Sequence, residues 1–505
     1  MSWCFKVTHW QWVAFFVITL LALRLFLTLT HENYLGIDGG AYVLSALEVQ
    51  GKDITNVGFA RPPLAPGWLL VPFIHFLGID VGYKVWTVLF SVLPLLPVYL
   101  LTRDLVNRSA AIFALAFFSV DMMQMEMMVT GSLPLIGFTF IGLSLWCIFR
   151  LTHQWSRLHF WLLAACVGIL PYINQTAAGI GMIVLPAATI ALFIFVYKDK
   201  GRMAAGPYQC NIVFYVLPAA FIGGLIALGA LPWYLTNAPG NSELRFPGPI
   251  LQMVHWTDPA LLLQFPVVAT VVYFLWRETK DYRVRTMAVL IGMLGVMILF
   301  LSWDEAIINI LYRSRYFLAL LIYPSIAWLL CRTWPLLPSL KEEWATVLPM
   351  VAVWLALLWG QVVVFSLQSE LKDMVSPQTV EALEIASQGH PEKSIITNAY
   401  SLSHWVSAMN QVESPNTWTL EPSPFYQETA TQINCVLGWI DSCSPEQATK
   451  SLDAEYILID TRFPTQWEHD VWGSPQRDAW ATLYNAQWLI LRYNQSGVQL
   501  WEIKF

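Results

Sequence analysis

The sequence has few charged residues. Only 12% of its 505 residues are Asp, Glu, Lys or Arg, whereas 56% are hydrophobic and the mean hydropathy is +0.53. An ordinary soluble protein carries about 25% charged residues. So few charges cannot give a folded chain a water-soluble surface, and lipid must therefore be the solvent for much of it. There is also no basic tract of the kind that binds nucleic acid.

Nucleotide- and metal-binding motifs are missing as well. The sequence contains no Walker A loop and no G-x-G-x-x-G motif between a strand and a helix, so we expect no energy from nucleotide hydrolysis. His75 and His255 stand alone, and we find no zinc-type spacing of ligands.

Long apolar runs are abundant. A helix needs about 20 apolar residues to cross about 30 Å of hydrocarbon. About eleven runs come near or reach this length. They lie near Trp12–Leu29, Val81–Leu101, Ala110–Met122, Leu133–Phe149, Phe160–Tyr172, Ala177–Tyr197, Ile212–Tyr234, Pro259–Trp276, Met287–Trp303, Tyr316–Leu330 and Trp344–Leu367. The pattern predicts a polytopic α-helical membrane protein whose first span is an uncleaved anchor.

The distribution of Lys and Arg predicts the orientation. Most of those in the loops fall on one side, at Lys6, Arg103, Arg108, Arg150, Arg157, Lys198, Lys200, Arg202, Arg277, Lys280, Arg283, Arg285, Arg332 and Lys341. The positive-inside rule makes this side cytoplasmic. We therefore expect a transmembrane domain over residues 1–367, with its N-terminus in the cytoplasm of a bacterial inner membrane. Residues 368–505 would then form an extracytoplasmic domain.

The composition changes from about Gln368 onward, and the pattern becomes that of a small α/β domain. Ser376-Pro377 is a favourable helix start. Strands are expected at Ser394–Ala399 and Ala454–Asp460, with a hairpin formed by Gln487–Tyr493 and Val498–Ile503.

Cys435 and Cys443 are the two cysteines of this C-terminal region. A close pair in an exported domain predicts a disulfide, and the alternative is two reduced, buried thiols.

The first outer loop carries the leading candidate for chemistry. Its segments Asp38–Gln50 and Leu64–Leu77 are apolar but too short to span, so we expect helices that lie along the interface. Asp38 stands between Gly36 and the pair Gly39-Gly40, which would let a ligand approach the backbone. Its carboxylate could accept a proton as general base, or it could simply cap the helix that follows.

Further charged residues fall on the outer side. Arg61, Lys84, and Arg313 and Arg315 next to Tyr316 would suit a phosphate headgroup. The alternative for these cations is snorkelling to lipid headgroups. Asp121 and Glu126 lie in the second outer loop, and the alternative for them is a solvated loop.

The order of these features resembles that of the GT-C glycosyltransferases that use polyprenyl-phosphate sugars. It is most similar to the branch with the protein O-mannosyltransferases and the lipid A aminoarabinose transferase. The resemblance covers about residues 10–335. It is carried by Ile37-Asp38-Gly39-Gly40-Ala41-Tyr42, Arg61-Pro62-Pro63-Leu64, Lys84, Ala230-Leu231-Pro232-Trp233-Tyr234, Arg315-Tyr316-Phe317-Leu318 and Tyr323-Pro324.

The resemblance implies a sugar transfer, with inversion, from a polyprenyl-phosphate donor to an acceptor hydroxyl outside the cytoplasm. The acceptor could be a protein, a lipid or a surface glycan. Asp38 becomes the implied base, and Arg61, Lys84, Arg313, Arg315 and Tyr316 the implied ligands of the donor phosphate.

The chain departs from the family pattern at Gly39, because many relatives have a second acid at this position. A second carboxylate would have to come from Asp121 or Glu126, and a divalent metal stays open.

Two alternatives come from other classes. A transporter or lipid flippase would place ionisable residues near mid-membrane, and Arg24 is the clearest charge within a span. An inactive scaffold that binds polyprenyl lipids is the other alternative.

Overall fold

The computed structural model describes residues 9–32, 34–36, 39–51, 64–130, 133–231, 259–300, 305–333, 344–389, 394–398, 400–410, 432–433, 435–437, 443–461 and 486–505. Helices dominate this part of the chain as far as residue 372, and a small sheet with further helices follows it.

The first half of the helical region begins with α1 (His9–Thr30) and a short strand, β1 (Tyr34–Leu35). It continues with α2 (Gly39–Val49), α3 (Leu64–Leu77), α4 (Ile79–Ser91), α5 (Leu95–Leu105), α6 (Arg108–Ser119), α7 (Met122–Thr130), α8 (Leu133–His153) and α9 (Arg157–Ile173).

The second half comprises α10 (Gln175–Asn211), a π-helical turn (Ile212–Val216), α11 (Leu217–Leu228), α12 (Pro259–Glu278), α13 (Tyr282–Phe300), α14 (Glu305–Thr333) and α15 (Trp344–Lys372). The described parts of the eleven predicted apolar runs are mostly helical, and the run Val81–Leu101 is divided between α4 and α5.

Six stretches of the described residues are helical, long and apolar enough to cross a membrane. They are Trp10–Thr30, Ile79–Leu105, Leu135–His153, Thr176–Gly201, Ala204–Leu228 and Arg315–Arg332. Large apolar side chains such as Trp10, Ile18 and Phe26 of α1 are exposed, as lipid-facing residues are expected to be. The multi-pass membrane protein predicted from composition is confirmed.

The C-terminal region forms the predicted α/β unit. Its elements are β2 (Asp373–Val375), α16 (Pro377–Gly389), β3 (Ser394–Thr397), α17 (Tyr400–Asn410), α18 (Pro445–Ser451), β4 (Ala454–Asp460), β5 (Leu489–Gln495) and β6 (Val498–Ile503). The sheet order is β3-β4-β6-β5, with β3 and β4 parallel and the other pairs antiparallel. The predicted hairpin is β5–β6, and its turn holds Gly497 at a φ of 85°. Cys435 and Cys443 are joined by a disulfide.

The first outer loop and the C-terminal unit share one core. β1 pairs antiparallel with β2, so residues far apart in sequence form a two-stranded ribbon. A single buried apolar cluster contains Val43 and Leu47 of α2 together with Leu402 and Trp405 of α17. One helix, α15, runs without a break across the predicted boundary between residues 367 and 368.

A helix forms over the predicted segment, at α2, and its residues Gly39 to Leu47 are all buried by other parts of the chain. It packs between α3 and α17 of the C-terminal unit.

Candidate active site at the junction with the C-terminal domain

Gly36 and Gly39, which flank the Asp38 position in sequence, lie at this junction. Asp38 itself is outside the described residues. The Gly39 N–H donates to the Gly36 carbonyl at 3.1 Å, and Gly36 has a φ of 102°, which favours glycine. Asp38 also directly precedes α2, so the helix-cap alternative stays open.

Two aromatic residues contact the described ends of this segment. The buried indole N–H of Trp405 donates to the Gly36 carbonyl at 3.1 Å. Trp405 packs edge-to-face against Tyr83 of α4, with ring centroids 5.2 Å apart. Tyr83 stacks in turn on Trp86. An uncharged aromatic cluster therefore joins the C-terminal unit, α4 and the start of α2.

The same cluster explains why position 39 is a glycine. A Cβ atom there would lie 2.5 Å from Trp405 Cζ2 and 2.5 Å from the Tyr83 hydroxyl oxygen. No real Cβ tolerates such contacts, and both groups are buried in a packed region. With Trp405 and Tyr83 in these positions, a second acid at position 39 has no room in this chain.

Lys84 follows Tyr83 on α4, and its ammonium is engaged. It donates to the His31 carbonyl at 2.8 Å and forms an ion pair with Asp80 at 2.9 Å, one turn earlier on the helix. His31 directly follows α1, whose last carbonyls lack helical partners. Lys84 therefore ties the end of α1 to α4. Its role as a phosphate ligand stays a prediction.

Positions 313 and 315 both lie within α14. The Arg315 guanidinium is buried, donates to the Tyr316 hydroxyl at 2.7 Å and lies 4.7 Å from the centre of that ring. Tyr316 belongs to the main apolar core.

Asp121 uses both carboxylate oxygens in hydrogen bonds. One accepts from the Gln124 N–H at 3.3 Å at the start of α7, and the other accepts from the Tyr323 hydroxyl of α14 at 2.7 Å. The Asp121 carbonyl accepts from the Gln361 side chain at 3.0 Å. These contacts give Asp121 a structural role in joining three helices. Its role as second acid stays a prediction.

The structure does not describe the side chains of four predicted site residues. Asp38 and Arg61 lie outside the described residues, and so do the side chains of Glu126 and Arg313. In the part of the chain that the structure describes, no three His, Cys, Asp or Glu residues cluster in a way that could hold a metal ion.

Arg24 is the residue whose role the sequence did not reveal. It is fully buried in α1, and its guanidinium donates to the Ser91 hydroxyl at 2.8 Å and to the Ser91 carbonyl at 3.3 Å. It also donates to the Ser119 carbonyl and to Gln361, each at 3.3 Å.

Ser91 and Ser119 end α4 and α6, so Arg24 satisfies carbonyls that helix ends leave open. A mid-membrane charge engaged in this way serves the packing of four helices. The arrangement removes the observation that most favoured a transporter.

The sequence also did not reveal the roles of Trp405 and Tyr83. Each looks like an ordinary core aromatic in its own helix, and Trp405 meets Gly36 across 369 residues of sequence. The one available signal was the run of glycines around Asp38, which indicates a close approach to the backbone without naming the partner.

These elements define the class: a multi-pass membrane protein with a first-loop helix buried under a C-terminal α/β unit has the GT-C fold. No family model matches the chain, and no curated protein matches it.

Solved structures of GT-C proteins do match it over its whole length. One is the oligosaccharyltransferase AglB from Archaeoglobus fulgidus, in complex with an inhibitory peptide and a dolichol-phosphate. It is 13% identical, with a TM-score of 0.62, over 100% of this chain and 75% of AglB.

A second is ArnT from Cupriavidus metallidurans bound to undecaprenyl phosphate, which is 13% identical with a TM-score of 0.59 over 97% of both chains. A third is the mycobacterial arabinofuranosyltransferase AftD, 12% identical with a TM-score of 0.51, of which this chain covers 40%. At such identities the likeness shows the shared fold.

Proposed function

We propose that this protein is a membrane glycosyltransferase. It moves a sugar from a polyprenyl-phosphate donor to an acceptor hydroxyl outside the cytoplasm, on a protein, a lipid or a surface glycan. Its site lies on the outer face of a bacterial inner membrane, where the C-terminal domain meets the first outer loop. Because nucleotide-activated sugars belong to the cytoplasm, a donor on this face has to be carried by a lipid.

One observation carries the proposal. ArnT bound to undecaprenyl phosphate matches this chain over 97% of both lengths, so the likeness includes the C-terminal unit as well as the membrane helices. AglB, which was solved with a dolichol-phosphate, matches all of this chain. Both of these proteins hold a polyprenyl phosphate, which supports a donor of this class here.

The reaction is a single displacement. The Asp38 carboxylate accepts the proton of the acceptor hydroxyl while the hydroxyl oxygen attacks the anomeric carbon of the sugar. The bond from that carbon to the phosphate oxygen breaks, and polyprenyl phosphate leaves with the electron pair. The proton passes from Asp38 to water. Attack opposite the leaving group inverts the anomeric centre.

Cations stabilise the negative charge that grows on the leaving phosphate. Arg61 is the leading candidate, because Lys84 is engaged with Asp80 and the His31 carbonyl. The Arg315 guanidinium is buried against the Tyr316 ring. We therefore rank Arg61 first among the predicted phosphate ligands.

Turnover by purified protein tests the proposal. Wild type, Asp38→Asn and Asp38→Glu are given undecaprenyl-phosphate sugars with candidate acceptors, with added Mg²⁺ or Mn²⁺ and with EDTA. We expect kcat of Asp38→Asn to fall by about 100- to 10,000-fold, the usual size of general acid–base catalysis. Asp38→Glu should retain part of the rate.

Glu48→Gln is a matched control, since this acid lies at the C-terminal end of the same helix that follows Asp38. Its turnover should stay at the wild-type level. Equal turnover by wild type and Asp38→Asn would remove Asp38 as base. Transport of the donor lipid across vesicles, without any transfer, would favour a flippase.

A further inference from the structure

The C-terminal domain contacts the Asp38 segment on both of its sides. Before Asp38, β1 pairs with β2, which joins Tyr34 to Val375 and Leu35 to Asp373. The Gly36 carbonyl then accepts two hydrogen bonds, from the Trp405 indole and from the Gly39 N–H, each at 3.1 Å. After Asp38, Gly39 lies against the Trp405 ring.

The Trp405 side chain contacts both Gly36 and Gly39. Its side chain is fully buried, and a buried indole N–H needs an acceptor, since a lost bond would leave the donor desolvated. The acceptor is a main-chain carbonyl two residues before Asp38. The indole therefore fixes the path of the backbone, and its ring limits position 39 to glycine.

Trp405 and Tyr83 form a clamp, in which the two rings enclose Gly39. Tyr83 of α4 supports the opposite side of Gly39, and a Cβ at that position would meet both rings at 2.5 Å. Neither ring carries a charge, so the clamp adds no ion that would compete for a proton or for a phosphate.

We infer that Trp405 is a positioning residue for the base: together with the β1–β2 ribbon, its indole ties Gly36 and Gly39, on either side of the Asp38 position, to the C-terminal domain. The inference rests on the proposed function for its effect on catalysis. Its structural part, that Trp405 orders the segment, is independent of any activity. A catalytic group misplaced by about 1 Å can lose about 100-fold in rate.

The activity test separates kcat from KM. Trp405→Phe keeps a ring but removes the hydrogen bond to Gly36, and we expect kcat to fall about 3- to 10-fold. Trp405→Leu also removes the ring, and kcat should fall about 10- to 100-fold. KM for the donor should stay within about 2-fold, because Trp405 is not one of the predicted phosphate ligands.

Trp501→Phe is the matched control. Trp501 is also a buried tryptophan of the C-terminal domain, and its indole N–H donates to Gln499 within the same sheet, at 3.3 Å. This variant should keep wild-type kcat. If Trp405 only stabilised the fold of the C-terminal domain, the fraction of active protein would fall in the Trp405 variants and in Trp501→Phe alike.

Hydrogen exchange of the full-length protein in detergent gives a readout that needs no turnover. Peptides covering residues 36–42 should exchange about 10-fold faster in Trp405→Leu than in wild type, while Trp501→Phe leaves them unchanged. Unchanged exchange in Trp405→Leu would overturn the clamp. Faster exchange with undiminished kcat would overturn its catalytic role.

The two proposals fail in different ways. If wild type transfers no sugar, the proposed function fails, whereas faster exchange in Trp405→Leu would still establish that Trp405 orders the segment. If wild type is active and Trp405→Leu is normal by both measurements, the clamp fails alone.

Discussion

Different kinds of contact stabilise the two ends of the membrane domain. Tyr83 and Asp104 lie near the two ends of Ile79–Leu105, a stretch long and apolar enough to cross a membrane. The end at Asp104 is fixed by ion pairs. These join Arg150 to Asp104, Arg283 to Asp281 and Arg285 to Asp199.

At the end beneath the C-terminal domain, the described contacts are mostly uncharged. Trp405, Tyr83 and Gly39 meet through ring packing and a hydrogen bond to a main-chain carbonyl. Lys84, paired with Asp80, is an exception in this part of the described structure.

At the distal end, which is the one at Asp104, charged side chains hold helices together. At the distal end, Arg150 bonds both oxygens of Asp104, at 2.5 and 2.8 Å, and Trp146 donates to the same carboxylate. Both oxygens of this carboxylate are therefore engaged in hydrogen bonds. Near Gly39, aromatic rings and one indole N–H contact the backbone instead.

Arg24 should show the largest effect on stability. Its charge serves structure, as the ion pairs at the Asp104 end do, but Arg24 lies within the candidate span Trp10–Thr30. Arg24→Met would leave the carbonyls of Ser91 and Ser119 without this donor, and we expect a loss of about 3 to 5 kcal/mol, typical of breaking a buried polar network. The measurement is unfolding in detergent, followed by tryptophan fluorescence.

Arg277→Ala is the control for Arg24, because Arg277 is a largely exposed arginine of α12. It should unfold like wild type. Wild-type stability of Arg24→Met would contradict the structural role and restore the case for a transporter.

Truncating one arginine at each end should separate function from structure. Arg61→Ala is expected to lower kcat/KM for the polyprenyl donor by about 10- to 100-fold, the size of a lost hydrogen bond to a charged group. Arg150→Ala should leave kcat/KM unchanged and cost about 1 kcal/mol of stability. The paired assays are initial rates and thermal unfolding. The reverse pattern would break the contrast between the two ends.

A smaller effect is expected from pH at the distal end. Burial alone would raise the pKa of Asp281, but the hydrogen bond and charge of Arg283 outweigh it and hold that pKa below its usual value. A lowered pKa in the folded state stabilises the fold above about pH 4, the unfolded value, and the gain is lost as the pH falls further.

Asp281→Asn should therefore flatten the dependence of stability on pH below about pH 4, by less than about 1 kcal/mol. Melting curves recorded between pH 3 and pH 7 measure this. Identical acid profiles for the variant and wild type would mean that the Arg283 pair contributes nothing.

Features with a local cause were predictable from the sequence. Hydrophobic runs such as Trp12–Leu29 became helices because membrane helices satisfy their own backbone bonds. Ser376 does cap α16, with its hydroxyl accepting from the Thr379 N–H at 3.2 Å. Strand β4 has the predicted bounds, since its apolar residues are buried on both faces of the sheet.

Features that depend on distant parts of the chain were not predictable. Nothing in the sequence of α2 shows that α17 covers it. The partners of Arg24 come from three other helices, so a single span could not reveal them.

A map of the protein in nanodiscs containing undecaprenyl phosphate tests the central claim most directly. We expect the phosphate within hydrogen-bond distance of Arg61, with the isoprenoid tail leading into the membrane and the Asp38 carboxylate facing the same cavity beneath the C-terminal domain. A phosphate held instead by the arginines of the Asp104 end, or Asp38 turned away from the bound lipid, would contradict sugar transfer at this junction.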